Sequence, residues 1–199
     1  MTVHISVAVE GDTDAAVAAR LLAIAGASAS RIFTVSKPEI LNRLRGYNDS
    51  AHHMPWYVQL DLDDEQCAPS ARSLWLPKVA DNLCLAIAVR EVESWLMADR
   101  ARLARFLCCA QSALPTAPDG VGDAKGALLQ AVRSSRSVRV KARLLPRPHG
   151  GRQVGPEYAS ELIRFAMDHW RPEEARRHSP SLDRAVARIQ SLVERWNRP

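Results

Sequence analysis

A chain of 199 residues, 47% hydrophobic and 25% charged, has the size and composition of one substantial globular unit. It lacks an apolar run of the roughly 18 residues a membrane helix needs, and its four cysteines (Cys67, Cys84, Cys108, Cys109) show no CxxC spacing, which argues against a zinc site or a disulfide framework. The net charge of +5 is unevenly shared: residues 1–99 carry 8 Lys/Arg against 13 Asp/Glu (net −5), and residues 100–199 carry 19 against 9 (net +10), mostly as arginine. A basic, arginine-rich half suits phosphate contact, although solvated helix faces give the same composition. The N-terminus has neither a basic n-region nor a signal-like apolar stretch, so the expected location is cytoplasmic.

Residues 3–9 are β-branched and apolar with little alternation, the pattern of a strand buried on both faces. Gly11 supplies a turn, and a helix is predicted from Asp14 to Ala25, its apolar face on Val17, Leu21, Leu22 and Ile24 and its stop at Gly26. Arg31 to Val35 reads as a short second strand. Pro38 opens a helix with Ile40, Leu41 and Leu44 inward, followed by a polar loop from Gly46 to Met54 holding His52 and His53. Trp56 to Leu62 is a third strand, Pro69 to Val79 a helix broken at Pro77, and Leu83 to Val89 a fourth strand. Helices follow at Glu91 to Ala98 and Arg100 to Cys108, with Asp99 between them as cap or site residue. A short helix over 122–134 leads into a basic loop over 135–155. Helices from Glu157 to Trp170 and from Ser181 to Trp196 close the chain, the last signalled by Ser179-Pro180-Ser181. Strands alternating with helices predict a parallel α/β sheet covered on both faces, with a helical C-terminal extension. The expected division is a core over 1–99 and a basic helical extension over 100–199 packed on it.

Three of the four strands end in carboxylates: Glu10 after the first, Asp61 and Asp63 after the third, Glu91 and Glu93 after the fourth. In an open parallel sheet ligands sit beyond the carboxyl ends of the strands. Acids about 5 Å apart repel by roughly 3 kcal/mol at an effective dielectric near 20, so such a cluster must protonate, spread or hold a cation. Oxygen donors at a turn favour Mg²⁺ or Mn²⁺. Asp12, Asp14, Asp64 and Glu65 read instead as solvated cap or loop residues. His149, His169 and His178 lack ligand spacing, and neither GxGxxG nor GxxxxGK[ST] is present.

The segments Val9-Glu10-Gly11 with Thr13-Asp14, then Asp61 and Asp63 at a strand end, resemble the TOPRIM domain of topoisomerases, primases and OLD-type nucleases. The further string Arg90-Glu91-Val92-Glu93-Ser94-Trp95-Leu96-Met97-Ala98-Asp99 and the late Ser179-Pro180-Ser181 resemble the TOPRIM-like family DUF4276. That resemblance covers most of the chain, loosely over 100–155. It implies a four-stranded parallel TOPRIM core, Glu10 as metal ligand or general acid/base, and Asp61 and Asp63 as metal ligands. The family often has Glu at the position of Asp14. Glu93 is the further candidate catalytic residue, Trp95 and Leu96 read as core, and Arg90, Lys125, Arg143, Arg147 and Arg152 are the candidates for nucleic-acid contact. The expected function is a Mg²⁺- or Mn²⁺-dependent nuclease acting on nucleic acid, DNA before RNA, in mobile-element or phage defence beside a separate ATPase subunit. The alternatives are a catalytically silent nucleic-acid-binding or complex-forming subunit and a small-molecule phosphotransfer enzyme.

Overall fold

The computed structural model describes residues 2–148 and 151–198, so His149 and the start of the Gly150-Gly151 turn lie outside the described residues. The first half alternates strand and helix: β1 (Val3–Val9), α1 (Asp12–Ile24), β2 (Ala27–Thr34), α2 (Lys37–Ser50), β3 (Trp56–Asp61), α3 (Ala68–Trp75) and β4 (Leu83–Ala88). The strands form one all-parallel sheet in the order β2-β1-β3-β4. After it come α4 (Val92–Ala98), α5 (Arg100–Phe106), α6 (Ala124–Arg133), α7 (Val138–Leu144), α8 (Tyr158–Asp168), α9 (Pro172–Ala175) and α10 (Pro180–Trp196). Among the described residues no helix is long and apolar enough to cross a membrane.

Strand periodicity sorts the side chains onto two faces. Val3, Ile5, Val7 and Val9 of β1, Tyr57 of β3, and Cys84, Ala86 and Ala88 of β4 join the larger core with α1 and the C-terminal helices. Ala8, Trp56, Val58, Leu60, Leu83 and Leu85 face the opposite way, onto Ile40, Leu44 and Tyr47 of α2. The larger core runs without interruption to Leu182, Ile189 and Val193 of α10, so the basic half shares its apolar interior with the sheet. The Trp95 indole N–H donates to Ser181 Oγ at 2.7 Å, and Trp170 Nε1 donates to the Trp95 carbonyl at 3.2 Å. Ser179 caps α10 through the Leu182 N–H and donates to Asp119. The Ser-Pro-Ser segment is thus a helix start locked to α4.

Several boundaries differ from the sequence reading. α2 continues through Gly46 to Ser50, because Tyr47 stacks on Trp56 (ring centroids 4.6 Å apart) and Asn48 accepts the Ala80 N–H. β2 begins at Ala27, where parallel pairing with Val3 starts. α3 ends at Trp75, two residues before Pro77, whose ring disfavours helical backbone in the residue ahead of it. The basic stretch holds α7, capped by Ser137 and tied to α8 by Arg143. Asp99 caps α5 and accepts three hydrogen bonds from Arg171, which makes it structural.

Candidate active site

β1 and β3 are adjacent and parallel, so their carboxyl ends lie side by side. Glu10 leaves β1 and turns toward β3, where its Oε1 accepts the backbone N–H of Asp61 at 2.9 Å. Tyr57, Gln59 and Asp61 alternate along β3 and share the side that faces α1. Gln59 Nε2 donates to Asp14 Oδ1 at 2.7 Å, and Tyr57 donates to Gln59 Oε1 at 2.8 Å. Asp14, in the first turn of α1, is therefore a buried member of the cluster, only 7% exposed, and not the solvated residue its position suggested. A Cβ on Gly11 would stand 3.2 Å from Asp14 Oδ2, so any larger residue there presses on the Asp14 carboxylate. Glu93, 5% exposed in the first turn of α4, accepts a hydrogen bond from Tyr158 at 3.1 Å. Asp61 Oδ1 is buried and has no hydrogen-bond partner among the described residues.

Burial and mutual repulsion push these acids toward protonation. Burial raises Asp14 most, then Glu93 and Glu10, against the donor from Gln59, to about 7. Burial likewise holds Asp61 well above the carboxylate range, with Asp14, Glu10, Glu93 and Asp63 adding to it. Glu10 rises through burial and Asp63, opposed by the Asp61 N–H, Lys37 and Lys125. Burial and Glu91 raise Glu93, opposed by Lys125 and Tyr158. Asp14 and Asp61 thus feel the neighbouring carboxylates directly, while Glu10 and Glu93 are raised mainly by burial.

Two lysines answer part of this charge. Lys125 Nζ is 3.1 Å from Glu91 and 4.0 Å from Glu93, and its backbone N–H donates to Glu91 at 2.8 Å. Burial alone would lower its pKa, but Glu93 and Glu91 outweigh that and raise it. Lys37 donates to Asp63 Oδ2 at 2.7 Å and to the Asp61 carbonyl at 2.6 Å. Asp63, in left-handed backbone (φ 50°), is half-exposed and turned toward Lys37. Arg90 braces the same loop through the carbonyls of Asp63 and Glu65. A cleft of about 420 Å³ opens here between Asp63, Asp64, Arg90, Glu91, Gly122 and Asp123.

The remaining sequence candidates lie elsewhere. Arg143 is held by Glu161 at 2.6 Å and Glu157 at 3.3 Å. Arg147 and Arg152 are exposed and line a separate cavity with Val154 and Pro156. His52 and His53 precede β3 and so sit at the opposite end of the sheet from the acids. Sequence reasoning passed over Asp14, Gln59, Lys37 and Tyr158. One signal was present: Gln59 is a lone amide in an otherwise apolar strand interior.

The donors are all oxygens, which is the chemistry hard divalent cations prefer. The unpartnered Asp61 Oδ1 is the atom left wanting a proton or a cation. Among the described residues, however, no group of three or more His, Cys, Asp or Glu side chains is already arranged to hold an ion. The fold and site together define a class: an all-parallel α/β protein with a buried carboxylate cluster at the carboxyl rim of its sheet. No protein-family model, curated protein or solved structure matches this chain.

Proposed function

We propose that the acidic rim binds Mg²⁺ or Mn²⁺ and cleaves phosphodiester bonds in nucleic acid, in a TOPRIM-like protein of the DUF4276 type. The observation that carries this reading is the Asp61 carboxylate, buried without a partner for Oδ1 while Glu10 is anchored on its own backbone N–H. The four-stranded parallel sheet is also the core which that resemblance implies. Asp61 and Glu10 would hold the ion, joined by Asp63 once it leaves Lys37. The ion, when bound, supplies a Lewis acid and an acidified water. Lys37 and Lys125, released from their carboxylates, meet the charge of the phosphate. Burial pushes both Glu93 and Asp14 toward the protonated form, Asp14 to about 7, so these two groups are placed to carry a proton. An ATPase partner and a role in mobile-element or phage defence follow only from the resemblance.

The silent-subunit reading is favoured by a specific observation: lysines already occupy Asp63 and Glu91, and no closed three-acid group is present among the described residues. Plasmid nicking separates the two. The account expects Mn²⁺-dependent conversion of supercoiled to nicked DNA, lost in Glu10→Gln and Asp61→Asn proteins that remain folded. DNA binding without cleavage in any divalent ion would leave the binding subunit standing.

A further inference from the structure

Four arginines meet along the free edge of β4. Arg72 comes from α3, and Arg184, Arg188 and Arg195 come from α10. α10 is fastened to this edge by Arg188 Nη1, which donates to the Leu85 carbonyl at 2.9 Å, and by Arg195, which donates to the Asp81 carbonyl. Two cavities open between α3, β4 and α10. One of about 350 Å³ is lined by Asp81, Leu83 and Cys84 with Arg72, Arg188 and Arg195. The other, of about 190 Å³, is lined by Pro69, Ile87 and Ser181 with Arg72, Arg184 and Arg188. Arg72 and Arg188 line both, so the two form one groove. It climbs β4 in the direction of Ala88, which pairs in register with Asp61. The groove therefore points at the acidic rim from outside the sheet.

Its charge is uncompensated. Among the described residues none of the four arginines lies within 4.0 Å of a carboxylate. Asp81 is the single acid in the lining. Five other arginines of the C-terminal half, Arg143, Arg164, Arg171, Arg176 and Arg177, are each paired with an acid, whereas Arg100 and Arg133 donate to neutral oxygens and Arg147 and Arg152 are exposed. Arg72 Nε is buried with no hydrogen-bond partner among the described residues. Burial first, and then the nearby Arg72 and Arg184 guanidinium groups, push the Arg188 pKa below its ordinary value, as close like charges do. Converging cations with an unmet donor are complementary to an oxyanion. From Arg184 to Arg195 the helix rises about 16 Å, room for several phosphates of one strand and far more than a single anion needs.

We infer that this arginine groove binds the phosphate backbone of a single nucleic-acid strand and leads it toward the acidic rim. The inference takes its ligand class from the proposed function but does not need cleavage. The probe is a short fluorescent single-stranded oligodeoxynucleotide in EDTA, where no metal-dependent chemistry can occur, titrated at several salt concentrations. An Arg72→Gln/Arg184→Glu protein should bind about tenfold more weakly, with a salt slope shallower by about 1.4 for two lost phosphate contacts. Arg184 is exposed and makes no hydrogen bond through its side chain among the described residues. Arg184→Glu alone, which leaves the fold untouched, should therefore still cost about threefold. Arg177→Glu, a charge reversal outside the groove, should leave affinity near that of the wild type. Unchanged affinity and slope in both groove variants would overturn the inference, as would equal competition by inorganic phosphate at matched phosphate concentration. Failed nicking by the wild-type protein, with groove-dependent binding intact, rejects the nuclease reading alone, and wild-type nicking with groove-independent binding rejects the groove alone.

Discussion

Asp14 shows how far a neighbourhood can move one carboxyl group. An acid in the first turn of a helix normally gains from the helix dipole and from solvent. Here the helix start is pressed against β3, so the carboxylate loses water and faces Glu10 and Glu93. Its folded-state pKa of about 7 lies above the ordinary 3.8. The folded protein therefore holds a proton that the unfolded chain has released between those values, and this contribution to stability is greatest below pH 3.8. Stability should fall as pH rises toward 7, by up to about 1.4 kcal/mol per unit, and level off above it. Asp14→Asn keeps an acceptor for Gln59 and removes the titration. Urea unfolding in EDTA across this range should show a shallower pH slope for the variant than for the wild type. Equal slopes would mean that Asp14 is ionised throughout.

Elements explain which parts of the molecule could be read from the chain. β1, β3 and β4 announce themselves as apolar runs ending in acids, and their parallel pairing follows from the helices between them. The meeting of Glu10 with Asp61 was legible for that reason. Lys125 was a candidate through the resemblance, but its contact with Glu91 across 34 positions was not legible, and Lys37, which reaches Asp63 from the start of α2, was missed altogether, because no local spacing encodes either contact. The extent of α2 was hidden as well, because Gly46 signals a break that Tyr47 overrides by stacking on Trp56. The Ser179-Pro180-Ser181 motif was read correctly as a helix start, but its second task, fastening α10 to Asp119 and Trp95, needs the fold. Ser179→Ala should cost about 1–2 kcal/mol, since a fully buried cap is lost and Asp119 loses a donor. The check is a lower urea midpoint at unchanged m-value, with metal-dependent nicking retained at 25 °C.

Over the whole molecule, the charge asymmetry of the sequence resolves into three different uses of arginine. Some arginines lock helices to one another, as Arg143 does with Glu157 and Glu161 and Arg171 with Asp99. Arg90 braces the loop that carries Asp63. A third group, Arg72, Arg184, Arg188 and Arg195 along β4 and α10, converges on one groove without an acidic partner among the described residues, and composition could not single it out. Acids collect at the sheet's carboxyl rim while unpaired cations line its edge, a polarity suited to a polyanion that must approach a cation-binding centre. The proposed chemistry depends on that centre. A crystal soaked in Mn²⁺ and measured at the manganese absorption edge tests it most directly. The account predicts an anomalous peak within coordinating distance of Asp61 Oδ1 and the Glu10 carboxylate, with Asp63 drawn away from Lys37. An empty rim at saturating Mn²⁺, with Lys37 still on Asp63 and Lys125 still on Glu91, would contradict it.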